Sequence, residues 1–123
     1  MKTKSCKAKG RLLQKKIAED ILNTFPELTP DDVASRPMSQ PGEDVMMSKA
    51  AKEKIPFSFE AKNTERFSAW AAFEQAKRNS EERRAVVVAK RNGSEPLCLM
   101  EWSTALEMMR VCSKERLSWH GPA

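Results

Sequence analysis

The hydrophobic positions along the chain recur with two different spacings, and each spacing predicts a different kind of element. Near the N-terminus, apolar residues return every three or four positions, as they do on one face of an α-helix. These residues are Leu12, Leu13, Ile17, Ile21 and Leu22. The lysines of the same segment fall on the opposite face. The pattern therefore predicts a helix from about residue 8 to residue 24.

The segment after this helix contains turn signals and one short apolar run. Thr29, Pro30 and Asp32 are typical of a short helical turn with its N-cap. The pair Pro41-Gly42 marks a second turn, and residues 45–47 predict a short strand after it. The polar sequence KAAKEK then joins this strand to the next one.

The sequence PFSFEAKN, residues 56–63, alternates between apolar and polar side chains, which is typical of a β-strand with two different faces. One face would carry Phe57, Phe59 and Ala61, and the other would carry Ser58, Glu60 and Lys62. The apolar face is expected to pack in the core. The polar face has two possible explanations, a solvent-exposed surface or the edge of a functional site.

The remaining elements complete an α/β pattern. A helix over residues 65–79, capped by Asn63 or Thr64, is expected next. The aromatic residues of this region are expected in the core rather than as platforms for nucleobases, and its buried candidates are Phe67, Trp70, Ala71 and Phe73. The runs RRAVVVAK and LCLMEW predict two strands around an Asn-Gly turn, and a last helix, with Ser103 as its cap, is expected to run to about residue 116.

The order helix, strand, strand, helix, strand, strand, helix predicts an α/β domain with a mixed central sheet flanked by helices. Its strand–helix–strand part predicts a crossover between parallel strands. A chain of 123 residues is long enough for one such domain and short for two. We expect a basic arm over residues 1–8, the domain over residues 9–117 and a tail over residues 118–123.

The composition limits where the protein acts and what it can do. No apolar run is long enough to cross a membrane, and no apolar segment follows the basic N-terminus as in a secretory signal. Three scattered cysteines indicate a reducing cytosol rather than a disulfide framework or a zinc site. The only histidine is His120, which argues against catalysis by a histidine base and leaves carboxylates and lysines to carry any chemistry.

Positive charge is concentrated in a few segments of the chain. The net charge is +5, and seven basic residues precede the first acidic residue, Glu19. They are Lys2, Lys4, Lys7, Lys9, Arg11, Lys15 and Lys16. Such clusters suit a polyanion, because each phosphate contact releases counterions. A soluble surface with a loose basic tail would give the same charge pattern.

Two carboxylates and one lysine can be brought together around the alternating strand. If residues 45–47 and 56–63 form a hairpin, Asp44 approaches the face that carries Glu60 and Lys62. Two carboxylates beside a backbone carbonyl make an oxygen-rich site suited to Mg²⁺ or Mn²⁺. Lys62 could then position or deprotonate an attacking water, or stabilise the charge that develops on a phosphodiester. The alternative for Glu60 and Lys62 is a solvated ion pair that contributes little energy.

The sequences GEDV and FSFEAKN resemble the PD-(D/E)xK nuclease superfamily, whose signature is an acid, a variable gap, and then acid-x-lysine. The chain also resembles a set of small phage-type endonucleases related to Holliday junction resolvases. Five blocks carry this likeness in order over roughly residues 9–102: GRLLQ, GEDV, PFSFEAKN, WAAFEQA and VVVAKR. The resemblance implies a restriction-endonuclease-like fold and metal-dependent hydrolysis of DNA. It also implies a branched substrate, a homodimer, and the cytoplasm of a bacterium or of a phage-infected host.

The resemblance assigns a role to each residue of the motif. Asp44 and Glu60 would be metal ligands together with the Ala61 carbonyl, and Lys62 would be the catalytic lysine. Gln75 would lie near the scissile phosphate or orient a ligand, although a glutamine on the helix surface is the alternative.

Further positions are less closely tied to the motif. Gln14 and Glu19 are candidates for the accessory position that the first helix often supplies in the superfamily. Glu43 stands where the superfamily usually has proline, so this position adds no weight to the resemblance, and in a strand we expect the Glu43 side chain to point away from Asp44.

The residues expected to contact DNA are Lys9, Arg11, Lys15, Lys90 and Arg91. For Lys90 and Arg91, a solvated strand end is the alternative. Two other functions stay open, a nuclease for single-stranded or flap DNA and a DNA-binding module without catalytic activity.

Overall fold

The computed structural model describes residues 2–38 and 40–114. The expected tail over residues 118–123, with His120, lies outside the described residues. The elements are α1 (Lys2–Thr24), β1 (Val33–Ser35), β2 (Val45–Met47), α2 (Lys49–Lys54), β3 (Phe57–Asn63), α3 (Ala69–Asn79), β4 (Arg84–Lys90), β5 (Leu97–Leu99) and α4 (Trp102–Lys114). No helix within these residues is long and apolar enough to cross a membrane.

A small mixed sheet with helices on its two faces forms the centre of the protein. Its strand order is β3-β4-β5. β3 and β4 are parallel, and β5 is antiparallel to β4. The β3–α3–β4 unit is the crossover between parallel strands that the sequence predicts. The predicted class, a mixed α/β domain with flanking helices, is confirmed. A separate antiparallel pair, β1 and β2, packs beside α1.

The alternation in β3 sorts its side chains onto the two faces of the sheet. Phe57, Phe59 and Ala61 pack against the core formed by α1, the β1–β2 pair and α2, as predicted. Ser58 and Glu60 are buried on the other face. In the β3–β4 register Glu60 lies beside Val87, which packs with Ala72 and Ala76 of α3. The polar face of β3 is therefore covered by α3 and is not a solvent-exposed surface.

Three expectations about the region before β3 are wrong. β1 was not expected, and KAAKEK is not a plain linker, because it forms α2. Ser48 caps α2 by accepting a hydrogen bond from the Ala51 N–H at 3.1 Å, and Ala51 is fully buried. The expected hairpin between residues 45–47 and β3 does not form, since β2 pairs with β1 and α2 lies between β2 and β3.

The helices also differ from the sequence-based expectations. α1 begins at Lys2, so the expected arm over residues 1–8 enters this helix without a break. α3 begins only at Ala69, after Ser68 in the N-cap position. α4 begins at Trp102, which places Ser103 inside the helix rather than at its cap.

Small residues, not aromatic ones, bury the face of α3 that packs on the sheet. Ala72 and Ala76 are buried, and Phe73 packs beside them. Trp70 is 83% exposed and Phe67 is 38% exposed, so their expected burial is wrong. Ala71, another expected core residue, is also exposed. Because alanine side chains are small, they allow the helix backbone to lie close to the sheet. A bulky side chain would not fit in this narrow space, so the aromatic residues lie on other sides of the helix.

Candidate active site

A row of polar side chains connects β3 to α3. Two residues of a strand span about 6.6 Å and four residues of a helix span about 6 Å, so alternate strand positions can face helix positions four apart. Lys62 Nζ donates to Gln75 Oε1 at 3.1 Å. Glu60, two positions earlier, lies close enough to Asn79, four positions later, for the Asn79 amide to oppose the rise in the pKa of Glu60. α3 thus places an amide above each charged residue of the motif.

Asp44 joins this row from the edge of β3 that faces away from β4. Its N–H donates to the Phe59 carbonyl at 3.3 Å, and its Oδ2 accepts from the Ala61 N–H at 2.7 Å. The carboxyl groups of Asp44 and Glu60 are so close that, besides burial, the negative charge of Asp44 raises the pKa of Glu60. Since the N–H and C=O of one strand residue point to the same edge, the Ala61 carbonyl shares this edge with Asp44. The structure therefore brings Asp44, Glu60 and Ala61 together without the expected hairpin.

The turn before Asp44 is held by Arg36. The Arg36 N–H donates to the Asp44 carbonyl at 2.8 Å, and Arg36 Nε donates to the Glu43 carbonyl at 2.5 Å. Gly42 has φ +118°, and a Cβ placed on it would lie 2.9 Å from Arg36 Cζ. The positive φ favours glycine there, and a larger residue would also displace the end of the Arg36 side chain. Arg36 also places a positive charge near the Asp44 carboxylate.

Glu43 has a structural role that the sequence did not reveal. Its side chain is buried, and its Oε2 accepts from Arg83 Nη2 and from Ser58 Oγ, both at 2.6 Å. Arg83 Nη1 also donates to the Phe57 carbonyl at 3.4 Å. This buried ion pair fixes the segment that carries Asp44 against β3.

Burial and mutual repulsion change the acidity of the two carboxyl groups. Burial, followed by the negative charge of Asp44, raises the pKa of Glu60 to about 7, and Lys62 opposes this rise. Burial also raises the pKa of Asp44, opposed by the Ala61 N–H and then by the charges of Lys62 and Arg36. Without a cation between them, the pair resists carrying two negative charges.

Glu60 and Lys62 do not form the solvated ion pair that was the alternative explanation. Glu60 is 4% exposed, and the ion pairs of the described residues do not join it to Lys62. Lys62 instead bonds to the neutral Gln75. Its positive charge is therefore available beside the carboxylate pair.

The oxygen atoms of this site suit a hard divalent cation. Glu60 Oε1 is buried and has no hydrogen-bond partner among the described residues, which is costly unless a further ligand completes the site. Within residues 2–38 and 40–114, no group of three or more His, Cys, Asp or Glu side chains could hold a metal ion. Asp44, Glu60 and the Ala61 carbonyl are the oxygen ligands that this site could offer, and Mg²⁺ is commonly bound through one or two carboxylates with several waters.

The metal-free protein is expected to lose stability as the pH rises. The Glu60 carboxyl ionises near pH 4.5 in the unfolded chain and near pH 7 in the folded one. The folded state binds the extra proton between these values, so its stabilising effect is complete below pH 4.5 and is lost as the pH passes 7. We expect a loss of roughly 2 kcal/mol, after allowing for solvent that reaches the site, measured by urea unfolding at several pH values.

Two comparisons test this explanation. In Glu60→Gln, the loss between pH 5 and pH 8 should shrink because the titrating group is absent. At pH 8, MnCl2 should raise the melting temperature of the parent protein more than NaCl of equal ionic strength does, since a ligand that binds only the folded state stabilises it. An unchanged pH dependence in Glu60→Gln would contradict the assignment of the shifted pKa to this residue.

The two candidates on α1 differ in their burial. Gln14 is buried, and its Oε1 has no hydrogen-bond partner in the described part of the chain. Glu19 is exposed, and five residues of helix place it about 140° around the axis from Gln14. An accessory role for either residue stays a prediction, and the buried position favours Gln14 over Glu19.

The basic residues expected to bind DNA fall into two groups. Lys9 and Lys90 both lie next to Asn63 at the carboxyl end of β3, since Asn63 Nδ2 donates to the Lys9 carbonyl at 3.4 Å and Asn63 pairs with Lys90 in the β3–β4 register. Adjacent strand positions point to opposite faces, so Lys90 is on the other face of the sheet from Lys62. Arg91 follows Lys90 and is exposed. Arg11 and Lys15 are exposed on α1. Their contact with DNA stays a prediction.

Sequence reasoning missed several residues that shape the site. Asn79 could have been found, because it lies four positions after Gln75 and therefore on the same helix face. Arg36 and Arg83 gave no local signal, since they act on residues far from them in the chain.

Comparison of the chain with family models, with curated proteins and with solved structures gave no match. The likeness to PD-(D/E)xK nucleases therefore depends on the motif residues themselves, and membership of that superfamily stays a prediction.

Proposed function

We propose that this protein is a metal-dependent DNA endonuclease with a restriction-endonuclease-like fold, and that its substrate is branched DNA, in the first place a four-way junction. One observation carries the chemical part of this proposal. The half-buried carboxyl of Asp44 and the buried carboxyl of Glu60 lie close together at β3, next to a lysine that has no acidic partner among the described residues. The preference for branched DNA comes from the resemblance of the five sequence blocks.

Each residue of the site has a distinct task in this proposal. Asp44, Glu60 and the Ala61 carbonyl would hold Mg²⁺ or Mn²⁺. When bound, such an ion lowers the pKa of a coordinated water and neutralises charge on the phosphate. Lys62 Nζ donates toward the attacking water or the phosphate oxygens, where its charge stabilises the transition state.

Gln75 supports Lys62 in this arrangement. Its Oε1 accepts from Lys62 Nζ at 3.1 Å, which limits the positions that this long side chain can occupy. Its NH2 group stays available for a phosphate oxygen. We therefore assign Gln75 as a positioning residue for Lys62, within the broader role that the resemblance implies.

The surface around the site supports a DNA substrate and a dimer. Lys9, Lys90 and Arg91 place positive charge around the carboxyl ends of β3 and β4, and phosphate binding requires such charge. α4 exposes large apolar side chains, Trp102, Leu106, Met109 and Val111, and an apolar surface of this kind suits a protein interface. A homodimer would place two sites on the two strands of a symmetric junction.

The decisive experiment compares cleavage of a four-way junction, a linear duplex of the same sequence, and a single strand. We expect Mg²⁺-dependent, paired nicks in the junction, and little cleavage of the duplex. EDTA should abolish the reaction, and analytical ultracentrifugation should show a dimer. Cleavage confined to free ends or single strands would favour the alternative nuclease function. Binding of the junction without any cleavage in Mg²⁺ or Mn²⁺ would instead favour an inactive DNA-binding module.

A further inference from the structure

Phe67 stands between two clefts on the surface of the protein. It belongs to the loop between β3 and α3, and its side chain is 38% exposed. One cleft, of about 230 Å³, contains Lys62 and Gln75, with Arg66 at its rim. The other, of about 470 Å³, lies beside the ends of β4 and β5. Phe67 lines both, so a molecule that leaves the Lys62 cleft on this side passes its ring.

The second cleft, which we term the strand-end cleft, combines an apolar floor with a cationic rim. Its residues are Thr64, Glu65, Phe67, Ala89, Lys90, Arg91, Ser94, Leu97, Cys98 and Leu99. Ala89, Leu97 and Leu99 provide apolar surface, and Lys90 and Arg91 provide the positive charge. The one acid, Glu65, is engaged by the loop, since its Oε1 accepts from the Asn92 N–H at 3.1 Å.

This combination matches the chemistry of a single nucleotide. A nucleobase offers an apolar face that can stack on an aromatic ring, and its phosphate requires cationic partners. The cleft volume lies within the usual range for small-ligand sites. A single exposed phenylalanine is ordinary by itself, but this ring separates the catalytic lysine from a cationic cleft.

We infer that the strand-end cleft binds one unpaired nucleotide of the DNA strand that is cleaved, with its base stacked on Phe67 and its phosphate on Lys90 and Arg91. The inference rests on the proposed function, because it takes DNA as the substrate. A base within an intact duplex cannot offer its face to Phe67, since both faces are covered by neighbouring bases. The strand-end cleft therefore selects DNA in which a base leaves the stack next to the scissile phosphate.

The test measures DNA binding without cleavage, by fluorescence anisotropy in EDTA. The probes are a fluorescein-labelled oligothymidylate and a blunt duplex of the same length. Phe67→Ala should weaken binding of the oligothymidylate by at least about fivefold, as the loss of one stacked base does. Its affinity for the duplex should change by less than about twofold, because duplex binding depends on phosphate contacts.

Two matched variants separate stacking from a general loss of surface. Phe67→Trp keeps an aromatic face and should bind the oligothymidylate as well as the parent protein. Trp70→Ala removes another exposed aromatic residue, one that lines neither of the two clefts, and should leave both affinities unchanged. Circular dichroism melting of each variant checks that the fold is retained.

Equal weakening for the two probes, an effect of Trp70→Ala as large as that of Phe67→Ala, or no effect of Phe67→Ala would each overturn the inference. The outcome is distinguishable from a failure of the proposed function. If Phe67→Ala selectively loses affinity for the oligothymidylate but the parent protein shows no Mg²⁺-dependent cleavage, the nucleotide site is supported and the nuclease function is contradicted. If cleavage depends on Glu60 but Phe67→Ala has no selective effect on oligothymidylate binding, the nuclease function is supported and the nucleotide site is contradicted.

Discussion

Glu60→Gln and Asp44→Asn are each expected to abolish Mg²⁺-dependent cleavage of a DNA junction, with a loss of at least about a thousandfold in rate. Each substitution removes a negative charge from a site with only two carboxylates, so the cation loses both affinity and position. A bound metal ion stabilises the transition state by several kcal/mol, and each 1.4 kcal/mol corresponds to about a tenfold change in rate. Single-turnover cleavage at saturating protein measures this loss directly.

Binding should respond in the opposite direction. The anisotropy of a labelled junction in EDTA should show equal or tighter binding by the two variants, because removing negative charge beside the phosphate reduces repulsion. Glu53→Gln is the matched control, since it makes the same change at an exposed position on α2 and should cleave normally. Normal cleavage by both site variants would show that the assigned carboxylates are not the catalytic ones.

In the same experiment, Lys62→Ala is expected to affect cleavage and metal binding differently from the two carboxylate variants. It leaves both carboxylates and the Ala61 carbonyl in place, so it should lose cleavage and retain the stabilisation by Mn²⁺. Loss of that stabilisation together with cleavage would indicate that Lys62 supports the fold of the site rather than the chemistry.

Glu43→Gln is expected to lower the free energy of unfolding by about 3–5 kcal/mol, which is the usual cost of removing one partner from a buried ion pair. The side chain of Arg83 is 10% exposed, and the 2.6 Å contact of its guanidinium with Glu43 is the ion pair that balances its charge. The substitution would leave that charge buried and would weaken the acceptor of Ser58. Urea unfolding followed by far-ultraviolet circular dichroism gives the change.

An exposed ion pair in the same molecule provides the control. Lys77 and Glu101 are 3.2 Å apart, with side chains that are 63% and 45% exposed, so Glu101→Gln should cost less than about 1 kcal/mol. The double variant Glu43→Leu with Arg83→Met should recover part of the loss, because no charge then stays buried without a partner. Similar costs for Glu43→Gln and Glu101→Gln would contradict a structural role for the buried pair.

The local pattern of the chain was sufficient for the elements that depend on neighbouring residues. The alternation in PFSFEAKN correctly separated Phe57 and Phe59 from Glu60 and Lys62, because adjacent side chains of a strand must point to opposite faces. The apolar run in β4 and the helix before it correctly gave a parallel crossover. β1 and α2 were missed because they are short and depend on contacts with other parts of the chain for their stability.

The position of Asp44 could not be predicted from the local pattern of the sequence. The sequence suggested a hairpin, whereas the structure uses one backbone hydrogen bond to Phe59 and one from the Ala61 N–H to the Asp44 carboxylate. Arg36 and Glu43 then hold the turn that carries Asp44. None of these contacts joins residues that are neighbours in the chain, and spacing along a sequence cannot encode them.

By itself, the sequence determined that Glu60 and Lys62 share one strand face and that Gln75 follows them on a helix. Only the tertiary structure decided that α3 covers this face, that Asp44 meets Glu60, and that Phe67 and Trp70 are exposed. The physical reason is that side-chain direction within an element follows from backbone geometry, which is local. Burial and charge pairing follow instead from which elements pack together, and here the small Ala72 and Ala76 set how closely α3 approaches the sheet.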